Sequence, residues 1–229
     1  MISWSDYFKR QIELWGKDTQ KILQKKRVLL VGAGGLGCSV GFGIGASGVG
    51  EIDIVDFDRV SISNIHRQIA FELEDEGESK AKVLAKKIEK KSPFVEVKAF
   101  EVGFEEFIKS AKREYDLIID ATDNLQTRAK IDKWAKSQNT PWIFGAVEEF
   151  NGQVCFFENS NFDTFANKTH TPKGIAAPMV MQIASFEANL ALRFLANLPT
   201  KKDTLFFIYY NSFGEFKIQE FKMPKKEKR

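Results

Sequence analysis

The sequence predicts an α/β fold: a doubly wound, mostly parallel sheet with an antiparallel part added toward the C-terminus. Three observations lead there. Strand-like and helix-like segments alternate over roughly the first 140 residues. The early strand candidates, such as Val28 to Val31 and Asp116 to Asp120, carry continuous apolar runs, as strands buried on both faces must. Beyond residue 141, strand candidates follow one another with turn residues between them.

Residues 8–24 read as a helix leading into Lys25-Lys26-Arg27. Val28 to Val31 is the first strand. A glycine-rich turn comes next, then a helix of small residues to about Ser47. Gly48-Val49-Gly50 resets the chain, and Glu51 to Val55 is the second strand, ending in Asp56-Phe57-Asp58. Residues 79–91 form a basic amphipathic helix. It stops at Ser92-Pro93, because the residue before proline is driven out of the α region. Val95 to Phe100 is a strand, Glu105 to Lys112 a helix, Asp116 to Asp120 a strand, and Asn124 to Ser137 a helix. Trp142 to Val147 and Gln153 to Glu158 flank Asn151-Gly152, a pair favoured in two-residue hairpin turns. Residues 159–176 are polar and irregular, a loop length that is usually functional. Pro178 to Asn197 is a long apolar helix. Leu205 to Tyr210 and Phe216 to Phe221 close the fold as a hairpin.

The 229 residues suit one domain: a nucleotide-binding half (25–140), a mixed-sheet half (141–221) and a basic tail (222–229). With 43% hydrophobic and 28% charged residues the composition is that of an ordinary folded protein. The formal charge is +3, but the tail holds five basic residues and one acidic, leaving −1 on the rest. Nothing there calls for nucleic acid. Only Cys38 and Cys155 are present, which excludes a disulfide scaffold and a four-cysteine zinc site. The first residues have no apolar leader core. The apolar run from Ala177 to Leu198 is interrupted by Gln182, Glu187, Asn189 and Arg193, so no membrane span is expected and a cytoplasmic location is.

Gly32-Ala33-Gly34-Gly35-Leu36-Gly37 has the G-x-G-x-x-G spacing between a strand and a helix. Such glycines let backbone N–H groups approach a phosphate at a helix N-terminus. Asp56, 24 residues after Gly32 at the end of the next strand, suits ribose hydroxyls. The pattern itself admits NAD, FAD or ATP, and no P-loop signature is present. Glycines 41, 43 and 45 weaken a helix and are read as permitting close helix–sheet packing. The residues beyond the second strand narrow the ligand. A dehydrogenase needs one ribose carboxylate there. This chain adds Asn64, Arg67, Gln68 and then Lys80, a set suited to a triphosphate and a leaving pyrophosphate. Taken singly, Arg67 or Lys80 would be an ordinary solvated charge.

The segments KRQIELWG, VLLVGAGGLGCS, ASGVGEIDIVDFDRVSISNIHRQ, the Lys80 helix and DATDN followed by Arg128 fall in one order over roughly residues 7–200. In this the chain resembles the ThiF/MoeB/HesA family, bacterial relatives of ubiquitin-activating enzymes. The resemblance implies a Rossmann-like fold and an ATP-dependent adenylyltransferase. Its substrate would be a ubiquitin-like sulfur-carrier protein, ThiS-like and of thiamine biosynthesis, whose C-terminal Gly-Gly carboxylate attacks the α-phosphate and releases pyrophosphate. Carried over by motif, Gly32, Gly34, Gly35, Leu36 and Gly37 form the phosphate-side loop. Asp56 holds the ribose, with Asp58 also in the nucleotide site. Ser63, Asn64, Arg67, Gln68 and Lys80 approach the phosphates. Asp123 is the Mg²⁺-linked carboxylate, with Asn124 beside it. Arg10 resembles an arginine that reaches across a homodimer interface into the partner's ATP site. Arg10, Arg67, Lys80 and Asp123 are the expected catalytic residues. The nucleophile is already a carboxylate, so the barrier is repulsion between anions, which Arg, Lys and Mg²⁺ reduce. Asp123-Asn124 also reads as a turn and helix N-cap, and Asp120 as structural.

The sequence departs from the family in two places. The Cys-x-x-Cys pairs that hold zinc in many relatives are missing, so no zinc is expected. Where some relatives carry a reactive cysteine, His170 precedes Gly174-Ile-Ala-Ala-Pro178. A covalent thioester step is therefore not expected, and sulfur would come from another protein. Cys38 and Cys155 read as buried core residues and His66 as a packing or hydrogen-bonding residue. The 159–176 loop reads as a mobile crossover above the carrier's tail. The alternatives are a MoeB-like enzyme acting on the molybdopterin-synthase small subunit, or a tRNA-modifying relative. An NAD oxidoreductase gives the four charged residues no role, and their presence argues against a non-catalytic adaptor.

Overall fold

The computed structural model describes residues 2–111, 113–165 and 174–224. Three short helices come first: α1 (Trp4–Tyr7), α2 (Lys9–Trp15) and α3 (Lys17–Leu23). The expected single helix over 8–24 is broken at Gly16, whose φ of 85° leaves the helical region and starts α3 afresh. Beyond them lie β1 (Arg27–Val31), α4 (Gly35–Ala46), β2 (Glu51–Val55), α5 (Ile62–Ile65), α6 (Lys80–Lys91) and β3 (Glu96–Phe100). Next come α7 (Phe104–Ser110), β4 (Leu117–Asp120), α8 (Leu125–Ser137), β5 (Trp142–Glu148) and β6 (Asn151–Phe157). A 3₁₀ turn at Phe162–Phe165, α9 (Ala177–Leu195), β7 (Thr204–Tyr210) and β8 (Phe216–Lys222) complete the described chain.

The strands form one eight-stranded sheet in the order β3-β2-β1-β4-β5-β6-β7-β8. β1 to β5 run parallel, and β6 to β8 are added antiparallel, as the sequence predicts. Alternate residues of the parallel strands feed two cores. Leu30, Ile52, Ile54, Leu117 and Ile119 face α4, α6 and α9. Leu29, Val31, Val55, Ile118 and Phe144 face α7 and α8. β1 neighbours both β2 and β4, so the strand order reverses there. This reversal opens a crevice at the C-terminal ends of these strands.

α4 is buried along most of its length. A Cβ at position 41 would lie 2.9 Å from Ile88 of α6, and one at position 43 would lie 3.2 Å from Ala188 of α9. The glycines thus admit neighbouring helices as much as the sheet. A second correction concerns Asn151-Gly152. Glu148 pairs with Asn151, so the turn residues are Glu149, at φ 50°, and Phe150. Gly152 lies inside β6, where Ile183 of α9 leaves no room for a Cβ. Its glycine serves helix packing rather than the turn.

The N-terminal edge of the sheet is fastened by polar pairs. Arg27 bonds Glu51 at 2.8 Å, Arg113 bonds Glu51 at 3.1 Å, Lys26 bonds Asp116 at 2.9 Å, and the Tyr115 hydroxyl donates to Asp53 at 2.6 Å. At the outer edge every residue of β8 is exposed, with Lys217, Glu220 and Lys222 spaced along it, as a soluble sheet edge requires. Among the described residues no helix is long and apolar enough to cross a membrane.

Candidate active site

The glycine loop leaves β1 with Gly32, whose N–H donates to Val55 at 2.9 Å. Gly32 has φ 100°, and a Cβ there would stand 2.6 Å from the Ala121 carbonyl oxygen. No other residue fits that turn. Gly37 presses so closely on the Gly32 carbonyl that it too has no room for a side chain. α4 begins at Gly35 with no side chain capping it, leaving the first N–H groups directed at the crevice. Leu36 is buried, and Gly35 packs 2.8 Å from Val180 of α9, measured to an added Cβ.

Asp56 ties this loop to the next one. One carboxylate oxygen accepts the Ala33 N–H at 2.6 Å and the other accepts the Asp58 N–H at 2.7 Å. Burial pushes its pKa up, while those two donors and Lys80 pull it down. The buried Lys80, first residue of α6, reaches Asp58 at 2.8 Å. On α5, Ser63 is exposed and 3.2 Å from the Ser61 hydroxyl. The Asn64 side chain accepts from Arg67 at 2.8 Å. A second Arg67 nitrogen lies 3.1 Å from His66 Nε2, so His66 is a hydrogen-bonding residue and, being exposed, not a core packing one. Gln68 is buried against Gly34, and its Oε1 has no partner among the described residues.

At the end of β4 two aspartates three residues apart differ completely. Asp120 is buried and accepts from Thr122 N at 3.0 Å, Thr122 Oγ1 at 2.6 Å and Arg128 Nε at 3.0 Å. Burial raises its pKa against the pull of Arg128 and Thr122. Arg128 Nη2 also donates to the carbonyls of Thr122 at 2.5 Å and Gly145 at 3.0 Å, with the guanidinium 4.9 Å above the Phe144 ring. Asp123 is exposed and makes no hydrogen bond or ion pair among the described residues. Asn124 caps α8 by accepting the Thr127 N–H at 2.7 Å. The turn-and-cap reading and a free carboxylate therefore hold together.

One chain brings Gly32 to Gly37, Asp56, Asp58, Ser63, Asn64, Arg67, Gln68, Lys80, Asp123 and Asn124 to the same edge of the sheet. It does not bring Arg10. That side chain is 92% exposed and paired with Glu13 at 2.9 Å. Its neighbour Gln11 donates to Ser47 at the far end of α4. The 12 residues of α4 span about 18 Å, so the glycine loop is out of reach within the chain.

Two residues count for more than their sequence signal. Arg128 enters the sequence reading only as the end of a motif. A cation in the first turns of a helix opposes the helix dipole, and that is the sign of a tertiary partner. Glu187 appears there only as a break in an apolar run. In the structure it is buried with neither carboxyl oxygen bonded among the described residues.

Cys38 and Cys155 are buried. Burial pushes the Cys38 thiol up to about 12 and raises Cys155 as well, so neither is a thiolate at neutral pH. His170 and residues 166–173 lie outside the described residues, as does the tail from 225. Among the described residues no three His, Cys, Asp or Glu side chains cluster as metal ligands.

The ThiF family matches residues 8–229. A sulfur carrier protein adenylyltransferase of Thermus thermophilus is 40% identical over 157 residues, covering 67% of this chain and 58% of the relative. A probable molybdopterin-synthase adenylyltransferase of Porphyra purpurea is 34% identical over 226 residues, 91% of this chain and 58% of the relative. The chain thus spans less than three fifths of the length of these curated relatives. Among solved structures, E. coli MccB with ATP superimposes with a TM-score of 0.82 at 20% identity, over 96% of this chain and 72% of that one. This last likeness concerns the fold.

Proposed function

The chain belongs to the ThiF family, and from that premise we propose that it adenylates the C-terminal glycine carboxylate of a ubiquitin-like sulfur carrier, releasing pyrophosphate. The observation that carries the reading is the meeting of an uncapped, glycine-lined helix N-terminus with Asp56, Lys80, Arg67 and a free Asp123 at one strand edge. The names of the curated relatives point to the same chemistry.

In this reading Asp56 takes the ribose and the α4 N-terminus faces the phosphates. Lys80 and Arg67 exchange Asp58, Asn64 and His66 for phosphate oxygens. A carboxylate nucleophile needs no base. Its requirement is relief of anion–anion repulsion, which fixed cations supply. Asp123 fits Mg²⁺, which is held by one or two carboxylates together with substrate phosphates and needs no protein cage. Bound there, the ion would neutralise developing charge on the phosphates. The raised thiols give no support to a covalent thioester, so sulfur would arrive from another protein.

The finer reading is a ThiS-type carrier, with MoaD as the alternative. The 25–140 half binds nucleotide and the 141–221 half binds the carrier, in the cytoplasm. A homodimer would let Arg10 enter the partner's site, since within one chain it lies beside the end of α4 opposite the glycine loop. Carrier-dependent exchange of pyrophosphate into ATP is the test. Asp123→Ala and Arg67→Ala should each abolish it, and full exchange in both would overturn the site. Arg10→Ala should lose exchange with unchanged melting. Incubation with each carrier shows which one accepts AMP.

A further inference from the structure

Glu187 lies midway along α9 on the side that covers the sheet, fully buried, with both carboxyl oxygens unbonded among the described residues. A carboxylate without donors is not sustained there, and the neutral acid is the form that fits. Burial is the chief cause holding its pKa well above the usual carboxylate range. The charged groups that face it are Asp120 from β4, which raises it further, and Arg128 from α8, which opposes. The other elements packed on α9, namely α3, α4, β5 and β6, add no charge to it.

Its contact is with backbone. A Cβ on Gly145 would overlap the Glu187 carboxyl, so the acid lies directly on the Cα of Gly145. The carbonyl of that residue accepts Arg128 Nη2, which also holds the Thr122 carbonyl, while Arg128 Nε holds Asp120. One residue of β5 therefore meets Glu187 from α9 and Arg128 from α8, on opposite faces of the sheet. Arg128 in turn fixes the 121–124 turn from which Asp123 projects.

We propose that Glu187 is a positioning residue for that turn. As a neutral acid it fills the space against Gly145 and leaves Arg128 to Asp120, Thr122 and the Gly145 carbonyl. Once ionised it draws Arg128 toward α9 and repels Asp120, and the turn carrying Asp123 loosens. The consequence for Asp123 rests on the adenylation reading; the coupling of Glu187 to the turn does not.

Hydrogen exchange on the full chain tests it. As pH rises through the Glu187 titration, corrected for intrinsic rates, the amides of residues 121–128 should lose about tenfold in protection relative to those of β1 and β2. Glu187→Gln keeps the shape without the titration and should hold that protection constant. The same pH dependence in both proteins overturns the proposal. The Glu187 carboxyl carbon, followed by NMR in the unmodified protein, should titrate well above the ordinary value of about 4.3. Titration at the ordinary value overturns it whether or not the variant folds. Neither readout uses nucleotide or carrier, so failure here leaves the adenylation reading standing, and loss of that reading leaves this coupling to be judged alone.

Discussion

At the C-terminal edge of β4, the buried Asp120 accepts three hydrogen bonds, two of them from a turn that Arg128 holds a second time. At the far end of the same sheet, β8 leaves every residue exposed, Phe216, Ile218 and Phe221 among them. The first region is over-determined: its glycines, ion pair and buried acid each constrain the same few loops. The second depends on the ladder to β7 and little else. Rigidity is concentrated where small, charged groups must be aligned. The antiparallel end is a surface whose residues are free to suit something outside the fold.

The contrast can be broken by measuring stability across it. Arg128→Met removes one partner of a buried pair and should cost about 3–5 kcal/mol in denaturant unfolding. A cost near zero would mean that the clamp is ornamental. Gly37→Ala sets a Cβ against the Gly32 carbonyl, a backbone atom that cannot swing aside. About 1–3 kcal/mol should be lost, together with nucleotide affinity. Glu187 gives a pH signature. Its folded pKa lies above its unfolded one, so its contribution is complete below about 4.3 and is lost as pH rises toward the folded value. Relative to Glu187→Gln, wild-type stability should fall with rising pH by up to about 1.4 kcal/mol per unit; parallel stability curves would refute this. In β8, Phe216→Ser should change stability by no more than about 0.5 kcal/mol. A large loss there would erase the distinction between the two regions.

Much of this was legible in the sequence, for physical reasons that differ by element. The parallel strands announce themselves because burial on both faces requires unbroken apolar runs, as in Val28 to Val31. The glycine loop is legible because Gly32 and Gly37 have no alternatives. Asn151-Gly152 misleads because one residue type answers two demands, a turn and a close helix, and Ile183 supplies the second from 31 positions away. The break at Gly16 is hidden by helix formers on both sides. Glu187 is illegible because its meaning comes from Gly145, Asp120 and Arg128, which only the folded sheet brings to it. Arg10 matches a motif, yet within one chain its side chain is exposed, paired with Glu13 and away from the glycine loop.

The pairs of Arg27 with Glu51, Tyr115 with Asp53 and Lys26 with Asp116 occupy the edge opposite the crevice. They fasten neighbouring strands to one another away from the site. Strand register is anchored at one end independently of the clamp on the turns at the other. Recombination that swaps the segment after β4 for that of a relative should yield a folded chimaera only when Asp120, Thr122 and Arg128 travel together. Swaps that separate the half-exposed pairs of Arg27 with Glu51 and Lys26 with Asp116 should cost no more than about 1 kcal/mol each.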